Sequence, residues 1–150
     1  SLSASVHYER WSANSGSAIG LTFQTLTNSF SQTVPNATFS DIISSHLGFE
    51  RKWSSFTGRL GYAFVPTPVP DQSGESNFLD TDKHMAGLGL GWPKLLKNIL
   101  GENTQLDFAV LVHYLKPKTV VKNLPTSIGY PGYKIGGWAW SYGLSLTTEL

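Results

Sequence analysis

Along most of this chain, large apolar side chains alternate with small or polar ones at every second residue. A period of two is the period of a β-strand with two unlike faces, and it argues against helices. Leu2, Ala4, Val6 and Tyr8 alternate with Ser3, Ser5, His7 and Glu9 in a strand predicted to end at Trp11. Further strands are predicted over Ala18–Thr25, Ser40–Trp53, Phe56–Phe64, Asp82–Trp92, Thr104–Leu115 and Tyr133–Glu149, with a short additional one over Thr119–Lys122. In the Asp82–Trp92 stretch Ala86, Leu88, Leu90 and Trp92 share one face, and Gly87, Gly89 and Gly91 share the other. In the last strand Trp138, Trp140, Tyr142, Leu144 and Leu146 oppose Gly137, Ala139, Ser141, Gly143 and Ser145.

The bulky face carries almost no charge, and the opposite face is built from Gly, Ser, Thr and Ala. A soluble sandwich would place bulky residues inside and many charges outside. Here charged residues are only 14% of the chain, against roughly 25% in an ordinary soluble domain. Aromatics reach 13%, yet mean hydropathy is −0.12. Two kinds of surface are therefore mixed in one chain, and disorder is excluded. The predicted fold is all-β: a transmembrane antiparallel β-barrel of about seven or eight strands in this chain, with the bulky face toward lipid. The runner-up is a soluble sandwich or barrel. The absence of an apolar run of about 18 residues rules out a membrane helix and says nothing against a barrel.

The 150 residues suit a single domain. The net charge of +1, with no basic run, removes the electrostatic case for nucleic acid. No cysteine is present, which removes thiolate chemistry and Cys-type zinc sites. The chain begins at Ser1 with neither Met nor leader, so a processed or trimmed product is expected. Long polar or Pro-bearing loops are predicted near 26–39, 65–81 and 116–132. They alternate with shorter links near 12–16, 54–55 and 93–103, as external loops and periplasmic turns do in outer-membrane barrels. Pro93–Leu100 is the one helical-looking segment, with Pro at its first position and Gly101 behind it.

One run is more specific than the alternation. Arg59-Leu60-Gly61-Tyr62-Ala63-Phe64-Val65 leads into Pro66-Thr67-Pro68-Val69-Pro70-Asp71, then Asp80-Thr81-Asp82-Lys83-His84, then the glycine-striped Gly87-Leu88-Gly89-Leu90-Gly91-Trp92. This resembles the C-terminal half of the FadL-type outer-membrane transporters of hydrophobic compounds such as long-chain fatty acids. In that family a G-Y-x-Y/F strand enters a P-x-P-V-P-D loop, followed by D-x-D-R/K-H. Tyr8-Glu9-Arg10-Trp11-Ser12, Asp41, Gly48-Phe49-Glu50 and Leu106-Asp107-Phe108-Ala109 match further family positions. Pro66, Pro68, Pro70, Asp71, Asp80, Asp82 and His84 thus form the signature loop. The resemblance implies a fourteen-stranded barrel plugged by an N-terminal hatch, of which this chain is half. An N-terminal half or another copy would complete it. The other reading is a complete small barrel of about eight strands. Where family members end on an aromatic residue, this chain ends Thr148-Glu149-Leu150.

Five polar residues are candidate lumen-lining groups: His7, Glu9, Arg59, Asp107 and His113. They line a channel or form ion pairs inside the barrel. Asp80, Asp82 and His84 share one parity and converge at a loop base, as a cation or acid–base cluster or as loop caps. Trp11, Trp53, Trp92, Trp138 and Trp140 form an expected aromatic girdle at the lipid headgroups. No catalytic set, metal site or cofactor is legible, and no enzyme is expected. The function expected from the resemblance is uptake or passage of hydrophobic small molecules at the bacterial outer membrane, with its lipid and lipopolysaccharide as surroundings. The alternative is a small structural or adhesive barrel whose external loops bind a partner.

Overall fold

The computed structural model describes residues 1–14, 19–24, 29–34, 38–74, 76–93 and 104–148. Eight strands follow one another: β1 (Leu2–Glu9), β2 (Ile19–Gln24), β3 (Ser29–Val34), β4 (Ile42–Lys52), β5 (Thr57–Val65), β6 (Lys83–Pro93), β7 (Thr104–Val121) and β8 (Gly132–Thr148). Six of them form one antiparallel sheet in the order β1-β4-β5-β6-β7-β8. Among the described residues this sheet is open, with β1 and β8 as its edges.

Several expected boundaries move. β1 stops at Glu9, because the chain turns into a short 3-10 turn at Trp11–Ala13. The stretch 26–39, predicted as loop, contains β3, which pairs with β2 in a separate hairpin. β1 therefore pairs with β4, and 10–41 is one long connection instead of a short link plus a loop. The expected short strand at Thr119–Lys122 is the far end of β7. Between Leu115 and Lys118 the register shifts, so Lys116 and Pro117 together face only Gly136. Such a bulge is where a strand tolerates proline, whose missing N–H leaves no gap in the ladder. Gly136 has φ +137°, and a Cβ there would lie 2.8 Å from Pro117 Cα, so glycine is required. The helix expected over 93–100 lies outside the described residues, except that Pro93 closes β6.

The connections 10–41, 66–82 and 122–131 all lie at one end of the sheet, and 53–56 lies at the other. Among the described connections the long ones therefore share one end and the short 53–56 link takes the other. At the long-connection end the loops lock together. Buried Lys122 donates to the carbonyls of Gly74 and Ser76, each at 2.7 Å, and Asn123 N–H donates to Ser73 O at 3.1 Å.

Register sorts the side chains into two faces without exception up to the bulge. One row across the sheet runs Leu2, Phe49, Leu60, Leu88, Val110, Tyr142; the next runs Ala4, Leu47, Tyr62, Ala86, Val112, Trp140. These side chains lie open: Leu88 is 63% exposed, Trp138 65% and Leu144 73%. Contiguous apolar exposure on this scale is foreign to a soluble monomer. On β7 the apolar band runs from Leu106 to Tyr114 and stops at Lys116. Nine residues match the roughly 9–11 that a tilted strand needs to cross a bilayer.

Candidate functional site

The small-residue face carries most of the ionisable groups of the strands, and its glycines determine which of them meet. Arg59 on β5 donates from Nε to Glu50 Oε2 of β4 at 2.9 Å. Its Nη1 donates to Asp107 Oδ1 of β7 at 2.7 Å, and Gln105 Nε2 donates to Asp107 Oδ2 at 2.6 Å. Arg59 thus bridges to a strand two places away, over the top of β6. It can do so because β6 presents only Gly89 and Gly91 there. A Cβ on Gly89 would sit 3.4 Å from Arg59 Cβ; one on Gly91 would overlap Asp107 Oδ1 and lie 3.3 Å from Arg59 Nη1. The glycine stripe is a slot through which the ion pair closes.

The other three expected polar residues stay apart from this network. Glu9 accepts a hydrogen bond from Trp11 Nε1 at 3.0 Å, near the long connection. His7 meets His46 edge-on, with ring centroids 5.0 Å apart, and its Nε2 is 3.1 Å from Ser5 Oγ. His113 lies on the same face, between Met85 and Ala139 in register. Glu50, His46 and Gln105 are members of these contacts that are not among the five lumen-lining candidates. Their parity was visible; their partners depended on register, which pairs Glu50 with Arg59.

In the signature loop Thr67 is held at both ends. Its N–H donates to Asp82 Oδ1 at 3.0 Å and its hydroxyl to Asp80 Oδ2 at 2.8 Å. Lys83 pairs with Asp80 at 2.9 Å, Lys116 with Asp82 at 3.5 Å, and Lys118 with Asp71 at 3.1 Å. Pro66, Pro68 and Pro70 stiffen the run between, and Pro68 O accepts the Ser40 N–H at 2.9 Å. Asp80 and Asp82 both bind Thr67, each with a lysine beside it. His84 does not join them. It points to the bulky face, where Nδ1 shares a 2.7 Å hydrogen bond with the Tyr62 hydroxyl. Its ring lies 4.9 Å from Phe64 and 6.1 Å from Tyr114, which in turn lies 4.6 Å from Trp138. His84 shares its parity with Asp80 and Asp82, but it lies inside β6 and so faces with Ala86 and Leu88, whereas the two aspartates precede the strand.

The five tryptophans divide by position. Trp92, Trp138 and Trp140 stand on the bulky face of β6 and β8. Trp53 lies in the short 53–56 turn. Trp11 sits off the sheet, its ring 6.1 Å from Phe39, which packs edge-on against Phe78 at 5.2 Å.

Asp41, just before β4, ties the long 10–41 connection to β1. It accepts from Ser12 N–H at 2.8 Å and from the Tyr8 hydroxyl at 2.5 Å. Hydrogen bonds from Ser12 and then Tyr8 lower its pKa from 3.8 to about 2. A carboxyl depressed in the folded state stabilises it fully above the unfolded value, and the contribution fades as pH falls toward 2. The Asp41 carboxyl carbon is expected to titrate near 2 by NMR; a midpoint at the ordinary value would remove this tether.

The fold and its two faces define an antiparallel barrel-wall sheet. No protein-family model matches the chain, and no curated protein does. Among solved structures it is similar to a FadL homologue from Pseudomonas aeruginosa, with a TM-score of 0.63 and 22% identity. The match covers 98% of this chain and 32% of that one, so this chain spans about a third of its neighbour's length. At that identity the likeness is one of fold: this is a FadL-like antiparallel β-sheet, not closed on itself among the described residues.

Proposed function

We propose that this chain is wall from the C-terminal half of a FadL-type barrel in the bacterial outer membrane, which passes hydrophobic small molecules such as long-chain fatty acids. It does no catalysis. The observation that carries the reading is the strict division of the sheet. One face is open, bulky and nearly free of charge, as lipid contact requires. The other is narrow in side-chain volume and holds Arg59 between Glu50 and Asp107, leaving space for an apolar cargo beside them. On this reading Arg59, Asp107, His7, Glu9 and His113 line the lumen, the tryptophans meet the headgroups, and an N-terminal half or another copy completes the wall.

Binding of a radiolabelled long-chain fatty acid to the detergent-solubilised full-length protein tests the transport role. Saturable binding is expected, and Ala139→Trp, which adds bulk to the small-residue face, is expected to reduce it. Absence of saturable binding, with the barrel folded, would favour a structural or adhesive barrel.

A further inference from the structure

The bulky face has a notch at the end of the sheet where 53–56 turns. Gly58 lies opposite both Arg51 and Leu90, and it leaves a gap where its neighbours have side chains. The Trp53 ring leans over this gap, so close that a Cβ on Gly58 would sit 2.9 Å from it. Trp53 is itself stacked on Phe56, with centroids 4.5 Å apart and an 18° interplanar angle. The result is an apolar groove of about 370 Å³ lined by Phe49, Leu60, Leu88 and Leu90 together with the Trp53–Phe56 pair.

A cation stands over the Trp53 ring. Up to the bulge, Arg51 is the one Lys or Arg on the bulky face among the described residues. Its guanidinium lies 5.2 Å over the Trp53 ring, and no carboxylate pairs with it among those residues. Glu50 and Asp107, the carboxylates placed on β4 and β7 toward this end, face the other way and are held by Arg59.

We propose that the groove binds one acyl chain of an anionic glycerophospholipid while Arg51 receives its phosphate. The proposal rests on the outer-membrane reading above. A guanidinium matches phosphate oxygens in pairs, and its stacking on Trp53 holds it in place for that contact. An apolar groove lined by the same Trp53 ring that the cation covers selects an amphiphile over a free phosphate ion, because the ion would leave the groove unfilled.

Native mass spectrometry of the protein in mild detergent, titrated with phosphatidylglycerol or phosphatidylcholine, tests this. The wild type is expected to retain phosphatidylglycerol in preference to phosphatidylcholine. Arg51→Gln is expected to retain about fivefold less phosphatidylglycerol, the worth of one cation near an anionic headgroup. Gly58→Leu, which fills the groove, is expected to lower retention of both lipids. Equal retention by wild type and Arg51→Gln, or full competition by inorganic phosphate, overturns the proposal. A protein that stays monodisperse without detergent and ignores vesicles overturns the membrane reading instead.

Discussion

Arginine in place of Leu88 is expected to cost the folded protein about 2–4 kcal/mol in a bilayer, whereas arginine in place of Leu111 should cost about 1 kcal/mol or less. The two leucines are on neighbouring strands at nearly the same level, since Leu88 pairs with Val110 and Leu111 with Gly87. They differ in face. Leu88 is 63% exposed in the middle of the bulky face, and Leu111 is 37% exposed on the small-residue face. A guanidinium at Leu88 would have to lie in hydrocarbon or distort the bilayer to reach water, while at Leu111 it would join a face that already holds charge. Urea unfolding from lipid vesicles measures both. Equal costs would mean that neither face meets lipid.

The second large effect is expected at Gly91. Valine there would drive its Cβ into the Asp107 carboxylate and crowd Arg59 Nη1. Overpacking of this kind costs about 1–3 kcal/mol. The ion pair it breaks adds little more, because the Arg59 side chain is 43% exposed and such pairs are worth about 1 kcal/mol or less. Gly87→Ala, four residues earlier on the same face, is the control. Its Cβ would meet Leu111 Cδ1 at 3.4 Å and Val110 O at 3.9 Å, both ordinary contacts, so a change within about 0.5 kcal/mol is expected. A neutral Gly91→Val in the same unfolding assay would mean that the slot does not hold Arg59 and Asp107 together.

Much of this was readable from residue order alone. Parity by itself separates Leu88 from Gly87 and Trp138 from Gly137, and the register of the folded sheet keeps those sets apart across six strands. The resemblance carried by the Pro66–Asp71 and Asp80–His84 run pointed to the fold that the Pseudomonas aeruginosa FadL homologue shares. Three features were not readable, each for a physical reason. β3 is a polar strand with little alternation, so nothing in Ser29–Val34 marks it against loop, and its hairpin hides the β1–β4 pairing. Pro117 reads as a strand breaker, but a bulge opposite Gly136 accommodates it. The Arg59–Asp107 bridge joins residues 48 apart in sequence and exists only because two intervening glycines have no side chains. Pairing across a sheet is a long-range choice, and local pattern does not encode it.

The division into a lipid face and a lumen face is tested most directly by a cysteine scan along β7. The chain has no cysteine of its own, so each introduced thiol reports one site. A spin label carried singly through residues 106–114 in lipid vesicles is read by its collision with oxygen, which concentrates in the bilayer, and with a water-soluble nickel chelate. At Leu106, Phe108, Val110, Val112 and Tyr114 oxygen access is expected to dominate, and at Asp107, Ala109, Leu111 and His113 nickel access. An unbroken alternation would establish the barrel wall; equal access to the chelate at both sets of positions would contradict it.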